Sequence, residues 1–219
     1  MLALAARLVA AGIGAVAAGA ALAQPSWPEK PVTVIVPFAA GGNTDVAARI
    51  FAERMASRLG KPFVIENRTG AGGSTGTAAM AKAAPDGYTL GMVTAGTLFI
   101  LPHIYKDKLG YDNFRDLKPL AMVGTQPNFV VVHPKVPVSS VREFLDYVKA
   151  NPDKLSYGSS GVGTSQHLCM ELIVQATGAK LAHVPYRASN QIMQDLISGQ
   201  IQMTCDQVST AYEQVKAGN

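Results

Sequence analysis

The sequence predicts an α/β protein built as two α/β lobes around a cleft, and three observations carry that prediction. Residues 32–36, VTVIV, are all β-branched and are followed by Pro37, as expected of a buried strand in a parallel sheet. A loop of small residues, Ala39, Ala40, Gly41 and Gly42, then leads into a helical stretch. This strand, loop and helix unit recurs, so that the chain reads β-α-β-α-β up to about residue 100 and resumes the pattern after residue 139. A strand end, a glycine loop and a helix start together present free backbone N–H groups to an anion. A plain strand-to-helix turn fits the same residues.

The first 23 residues hold one charge, Arg7, followed by an apolar run from Leu8 to Ala23 and the small-x-small sequence Ala21-Leu22-Ala23. This pattern predicts a secretory signal peptide cleaved before Gln24. The run of 16 residues is short for a membrane span, and no Cys stands at the cleavage site to take a lipid anchor. The formal charge is +4, and +3 without Arg7, scattered with no two Lys or Arg adjacent. That excludes a nucleic-acid-binding face and leaves a weak attraction for small anions. The two cysteines, Cys169 and Cys205, fit no metal or redox motif. In an oxidising compartment they form either a disulfide or a pair of buried thiols, and the sequence is compatible with both.

Asn43 or Thr44 is expected to cap the first helix, over residues 44–59, with Asp45 in its first turn. Val46, Ile50 and Leu59 are assigned to its inner face, and Asp45 and Arg49 are spaced for an i,i+4 ion pair. Gly60 stops the helix, and Phe63-Val64-Ile65 forms the second strand. In residues 70–76, Gly72-x-Ser74-x-Gly76 matches a nucleophile elbow, but the strand ends near Glu66 instead of running into the serine. The dinucleotide fingerprint fails as well, since Thr75 stands where it requires Gly. The stretch therefore reads as a loop and helix start, with Ser74, Thr75 or Thr77 as local caps. Pro85-Asp86-Gly87 is a turn, residues 88–93 a third strand, and Thr94-Ala95-Gly96-Thr97 a second polar loop before a helix. Residues 102–119 lack periodicity beyond one helical turn at 112–116. Two short apolar runs, 120–123 and 129–132, flank Thr125-Gln126-Pro127-Asn128 and mark a crossover between lobes. The lobes are assigned to residues 24–124 and 125–219.

Ser139 or Ser140 caps the next helix, with Glu143 spaced as the capping-box partner of Ser140. Asn151-Pro152 ends it and Leu155-Ser156-Tyr157 is a strand. Residues 158–165, GSSGVGTS, supply four hydroxyls and three glycines between that strand and a helix, with no fixed cation. Such a loop suits a carboxylate that must bind and leave unchanged. His167 and Glu171 share a helix face at i,i+4; too few ligands accompany them for a metal, so they read as an internal hydrogen-bonded or ion pair. Residues 181–184 and 201–205 are strands, with a helix over 190–198 between them, Asp206 at the end of the second strand and a last helix from Ser209.

These stretches carry a family resemblance. VPFAAGGNTDVAAR (36–49), ENRTGAGGSTG (66–76), PDGYTL (85–90), YGSSGVGTSQHLCME (157–171) and VPYRASNQIMQDLISGQ (184–200) resemble, in order and spacing, the periplasmic substrate-binding proteins of tripartite tricarboxylate transporters, the Bug or TctC family. The resemblance implies a periplasmic binding protein-like fold whose cleft closes on a small carboxylate. It also implies delivery to membrane permease subunits, periplasmic localisation, no cofactor, no metal and no catalysis. The ligand contacts it implies are Phe38, Ala40, Gly41, Gly42, Asn43 and Asp45 from the first loop, and Thr94, Ala95 and Thr97 from the second. Ser159, Ser160, Gly163, Thr164, Ser165 and His167 follow from the third, with Asp206 reaching a ligand's distal or amino group. The chain departs from the family pattern at Ala188, where Gly is frequent, and at Cys169, where Ala or Gly is frequent. Family members are also longer, which implies an incomplete first lobe with an open sheet edge in this chain. Two other functions were weighed. A periplasmic sensor would use the same cleft to contact a signalling protein. A serine hydrolase would need Ser74 or Ser160 beside a base, and none of His103, His133, His167 and His183 is placed by a motif.

Overall fold

The computed structural model describes residues 27–218, so the expected signal peptide lies outside the described residues. Two sheets form the two lobes. The first contains β1 (Val32–Val36), β2 (Phe63–Asn67) and β3 (Thr89–Gly91), in the order β2-β1-β3 with both pairings parallel. Four of the five β1 side chains are at most 3% exposed, and each buried valine contributes about 1.5–3 kcal/mol. Val32 and Val34 face helix α1 (Asn43–Leu59) with Phe63 and Ala52. Thr33 and Ile35 face helix α2 (Ser74–Ala81), where Val64 stays 52% exposed beside an open surface hollow.

The inner face of α1 corrects the expectation. Val46 and Ile50 are exposed, and the buried stripe is Asp45, Ala48 and Ala52, with Phe51, Met55 and Leu59 packed against the same core. Alanines at the contact let the helix lie close to the sheet; Val46 and Ile50 turn outward, while Phe51, Met55 and Leu59 pack around the contact. The caps differ too. Gly42 caps α1 without a side-chain bond, because the Asp45 carboxylate reaches back to the Gly41 N–H at 2.9 Å. Gly73 caps α2 after a 3₁₀ turn, Ala71–Gly73; Thr77 instead donates to the Gly73 carbonyl at 2.9 Å.

After β3 the chain winds through a π-helical turn, Gly96–Ile100, into α3 (Leu101–Tyr105). The apolar run 120–123 forms no strand and is exposed, with Leu120 at 73% and Met122 at 83%.

The second sheet contains β4 (Asn128–Val132), β5 (Ser156–Ser159), β6 (Ala182–Pro185) and β7 (Met203–Gln207), in the order β4-β7-β5-β6. Only β4 runs antiparallel, against β7. Helices α4 (Val141–Ala150) and α5 (Ser165–Thr177) cover one face, with Tyr157, Met170 and Met203 fully buried. Helices α6 (Ser189–Ser198) and α7 (Val208–Lys216) cover the other, over Val131, Ile192 and Ile201. Ser140 caps α4 by accepting from the Glu143 N–H at 3.2 Å, and Glu143 accepts from the Ser139 N–H at 2.7 Å. Cys169 on α5 and Cys205 on β7 are joined by a disulfide with a Cα separation of 6.2 Å. Alternation within β7 brings this about, since Met203 and Cys205 share the α5 face.

Candidate functional site

The two lobes meet along loops at the C-terminal ends of β1, β2, β5 and β6, and a cavity of about 250 Å³ lies between them. Its lobe 1 wall is residues 37–38, 69–73 and Tyr105; its lobe 2 wall is residues 160–162 and 185–187. Ligands of α/β sheets bind at this end of the strands. The cavity is at the small end of ligand pockets, which run to roughly 300–1,000 Å³. Arg187 is the only formally charged residue in the lining, and no acidic residue lines it.

Glycine makes the contact between lobes. Gly72, at φ +64°, sits so close to lobe 2 that a Cβ would stand 2.4 Å from the Val162 carbonyl oxygen. A Cβ on Gly161, at φ +115°, would stand 3.1 Å from the Gly72 Cα. Both positions demand left-handed backbone and the absence of a side chain. Ser209 donates to the Asn43 carboxamide, a further link between lobes.

Of the residues expected at the ligand, Phe38 and Ser160 line the cavity. Ala40, Gly41, Gly42 and Asn43 continue the loop from Phe38 without entering the lining, and Gly42 packs near Ser189. Asp45 is 1% exposed and turned into its own lobe. Its oxygens accept from the Gly41 N–H at 2.9 Å, Arg49 Nε at 2.8 Å and Asn67 Nδ2 at 2.8 Å. Burial pushes its pKa up, but the bonds from Arg49, Gly41 and Asn67 outweigh burial and hold it below the usual carboxylate value. The i,i+4 pair with Arg49 is present as expected, and the carboxylate serves to fix the loop.

Thr94, Ala95 and Thr97 do not line the cavity; Thr97 is buried behind Gly73, and Ala95 is exposed. Thr97 accepts from the Thr94 N–H at 3.2 Å and donates to the Thr94 carbonyl at 2.9 Å, while its methyl packs on Gly73. In lobe 2, Ser160 bonds Ser189 Oγ at 3.1 Å, and its N–H donates to Gln166 Oε1 at 2.8 Å. Gln166 in turn donates to Asp206 Oδ1 at 2.7 Å. Asp206 is fully buried one step behind the wall. Gly163 abuts Leu101 and Ile104, and Thr164 caps α5 by accepting from the His167 N–H at 3.4 Å; Ser165 is exposed.

Beneath this loop lies a cluster of aromatic and titratable groups. His183 stacks on Tyr157 at 4.9 Å, and His167 lies 4.4 Å from His183. Tyr157 donates to Glu171 Oε1 at 2.5 Å, and His167 Nε2 is 4.0 Å from that oxygen. His167 and Glu171 are neighbours as expected, but at 4.0 Å they share no hydrogen bond, and Tyr157 is the carboxylate's hydrogen-bond partner. Burial depresses both histidines, His183 further through His167, while Glu171 opposes the shift on each. Burial and Glu171 raise the Tyr157 phenol, and burial and Asp195 push Tyr186 up to about 12. Ser159 Oγ lies 2.7 Å from His183 Nε2, the spacing of a nucleophile and its base. Ser159, however, is fully buried and its oxygen accepts the Gly161 N–H at 3.1 Å, so it supports the loop from behind.

Sequence reasoning missed residues 69–73, Tyr105 and residues 185–187 as parts of the site. The glycine run fits neither an enzyme nor a nucleotide motif and reads as a loop and helix start, which assigns it no ligand contact. Pro185-Tyr186-Arg187 sat in a stretch quoted for the resemblance without being carried over as a contact.

A family model described as the tripartite tricarboxylate transporter family receptor, TctC, matches residues 47–219. The chain belongs to this family. Among TctC relatives, protein BugT of Bordetella pertussis is 35% identical over 211 residues, covering 94% of this chain and 65% of that one. A Cupriavidus necator protein from the gbd 5' region is 35% identical over 196 residues, covering 90% of this chain and 59% of that one. The solved periplasmic binding protein BugD superposes with a TM-score of 0.83 at 38% identity, covering 88% of this chain and 64% of the other. Rpa4515 of R. palustris, solved with adipate, gives 0.84 at 35%, with 88% and 64% covered. MatC of Rhodopseudomonas palustris, solved with malate, gives 0.81 at 33%, with 88% and 65% covered. The chain thus spans 59–65% of the length of these TctC relatives. The fold is the two-lobed periplasmic binding-protein architecture around a cleft.

Proposed function

We propose that this TctC-family chain is the periplasmic receptor part of a tripartite tricarboxylate-type transporter, which captures a small carboxylate between its lobes for the membrane permease subunits. The observation that carries the reading is the composition of the cleft. Its walls are glycine-rich loops at strand ends, with hydroxyls, one cation and no carboxylate. Burying an anion there costs no like-charge repulsion, and hydroxyls, Arg187 and those loop N–H groups that are not already bonded within the lobes would stabilise it without a covalent or acid–base partner. The adipate and malate in the two solved relatives are ligands of the same chemistry. We place the lobes at residues 24–124 and 125–219, which assigns one sheet to each. Of the sequence-derived contacts, Phe38 and Ser160 are retained as walls, and Gly72, Gly161 and Arg187 are added. Asp45, Thr97 and Asp206 act behind the surface.

Thermal unfolding with adipate, malate and their diamides tests the reading. A carboxylate at 100 times its dissociation constant adds about 2.7 kcal/mol of stability. Equal protection by the neutral diamides refutes a carboxylate site.

A further inference from the structure

The histidine pair beneath the cleft is coupled to it through two glycine amides. The Gly163 N–H points at His167 Nδ1, 3.4 Å away. To accept, that nitrogen must carry its lone pair, which leaves the ring proton on Nε2, the side facing Glu171. The Gly161 N–H is held by Ser159 Oγ at 3.1 Å, and that hydroxyl has one hydrogen to give. Its nearer acceptor is His183 Nε2 at 2.7 Å, against 3.3 Å for the Gly161 carbonyl. Assigning the hydroxyl hydrogen to that shorter contact makes His183 the acceptor, with its proton on Nδ1.

We infer that His167 and His183 are positioning residues for the Gly161–Gly163 loop, and that they hold it in its cleft-lining shape only as neutral imidazoles. Protonating His167 at Nδ1 sets an N–H against the Gly163 N–H. Protonating His183 at Nε2 forces Ser159 to turn its hydrogen away and disturbs its grip on Gly161. Lobe 1 reads both glycines directly: Gly161 abuts Gly72, and Gly163 abuts Leu101 and Gly96. Shifts of a few tenths of an ångström in this loop therefore alter how the lobes meet.

The groups facing the pair are Tyr157 from β5 and Glu171 from α5. Glu171 favours protonation, but Tyr157 already donates to its carboxylate. Burial and the 4.4 Å approach of the two rings oppose protonation. The neutral state is thus the resting one near neutrality. A depressed histidine destabilises the folded form progressively as the pH falls from the ordinary value, near 6.5, through the lowered folded value.

The loop can be watched without any ligand. Amide exchange protection of Gly161 and Gly163, normalised to unstructured rates, is measured in the full chain from about pH 7.5 down to about pH 4.5, so as to pass the lowered imidazole values, with both imidazoles titrated by NMR in parallel. Protection at both glycines is expected to fall about tenfold as the rings take up protons. The variant His167→Asn with His183→Gln keeps acceptors near the two nitrogens but does not titrate, and is expected to hold protection across the range. Rings that titrate while the loop stays protected overturn the inference, as does a variant that keeps the wild-type pH profile. If that variant fails to fold, the wild-type titration decides alone. The ligand arm rests on the carboxylate reading: adipate affinity should fall over the same range. Adipate that binds at neither pH counts against that reading, while the glycine amides still decide this one.

Discussion

Gly72 and Gly161 face each other across the cleft with no room for a side chain on either: a Cβ on Gly161 would stand 3.1 Å from the Gly72 Cα. The two lobes therefore meet backbone to backbone at this point. Gly72→Ala adds a methyl 2.4 Å from the Val162 carbonyl oxygen, at a backbone angle of φ +64° that L residues resist. The lobes must separate to admit it. If the cleft takes a carboxylate as proposed, affinity for whichever carboxylate protects the protein against heat is expected to fall at least about tenfold, a differential cost of about 1.4 kcal/mol on the joined state, with the far-ultraviolet dichroism unchanged. Unaltered affinity with unaltered small-angle scattering would show that the contact has no part in binding.

The disulfide between Cys169 and Cys205 closes a segment with a sequence separation of 36. Loop-closure entropy puts its contribution at about 3–4 kcal/mol. Replacing both cysteines by alanine should lower the urea midpoint accordingly and remove the sensitivity to reductant. Thiol titration of the unfolded, non-reduced protein should find none free.

Arg187 is exposed at the cleft and makes no ion pair or hydrogen bond among the described residues. Solvent screens such a charge, so its worth is modest. On the carboxylate proposal, Arg187→Gln is expected to weaken binding of the carboxylate that protects the protein about two- to fivefold and to flatten its dependence on salt. Titration calorimetry at low and high ionic strength checks both. A salt dependence that survives the substitution would place the attraction elsewhere.

Asp45 gathers Gly41, Arg49 and Asn67 around one buried carboxylate. Asp45→Ala leaves the Gly41 amide and the Asn67 side chain without this acceptor and should cost about 1–3 kcal/mol. The Arg49 share is small, since that side chain is 54% exposed. The folded pKa is depressed, so this contribution is full above the ordinary carboxyl value near 3.9. It is lost as the pH falls through the folded value. Acid unfolding of the alanine variant should therefore be less steep than that of the wild type.

Much of the architecture was legible because strand composition and turn residues report local structure directly. VTVIV, Pro37, Gly60 and the Ser140–Glu143 cap all sit where their chemistry predicts. The inner face of α1 was misread because size was taken for burial; where helix and sheet lie close, Ala48 and Ala52 go inward and Ile50 goes out. The cysteine pairing stayed open because it depends on which face of β7 meets α5, a tertiary fact. The cleft was only partly legible. Residues 69–73 enter through backbone groups, and a backbone donor leaves no side-chain signature beyond the glycines that make room for it.

A wall of main chain has a consequence for how such a site changes over evolutionary time. Amide groups persist through every substitution but proline, so the main-chain share of any attraction for an anion does not depend on the identity of a lining residue, while the share supplied by Arg187 does. The side chains between them, Phe38, Tyr105, Val162, Tyr186 and Arg187, are then free to vary the shape and polarity of the cleft while the main-chain share is retained. Divergence in what is bound would be written at those five positions, in a scaffold whose main-chain donors are inherited unchanged.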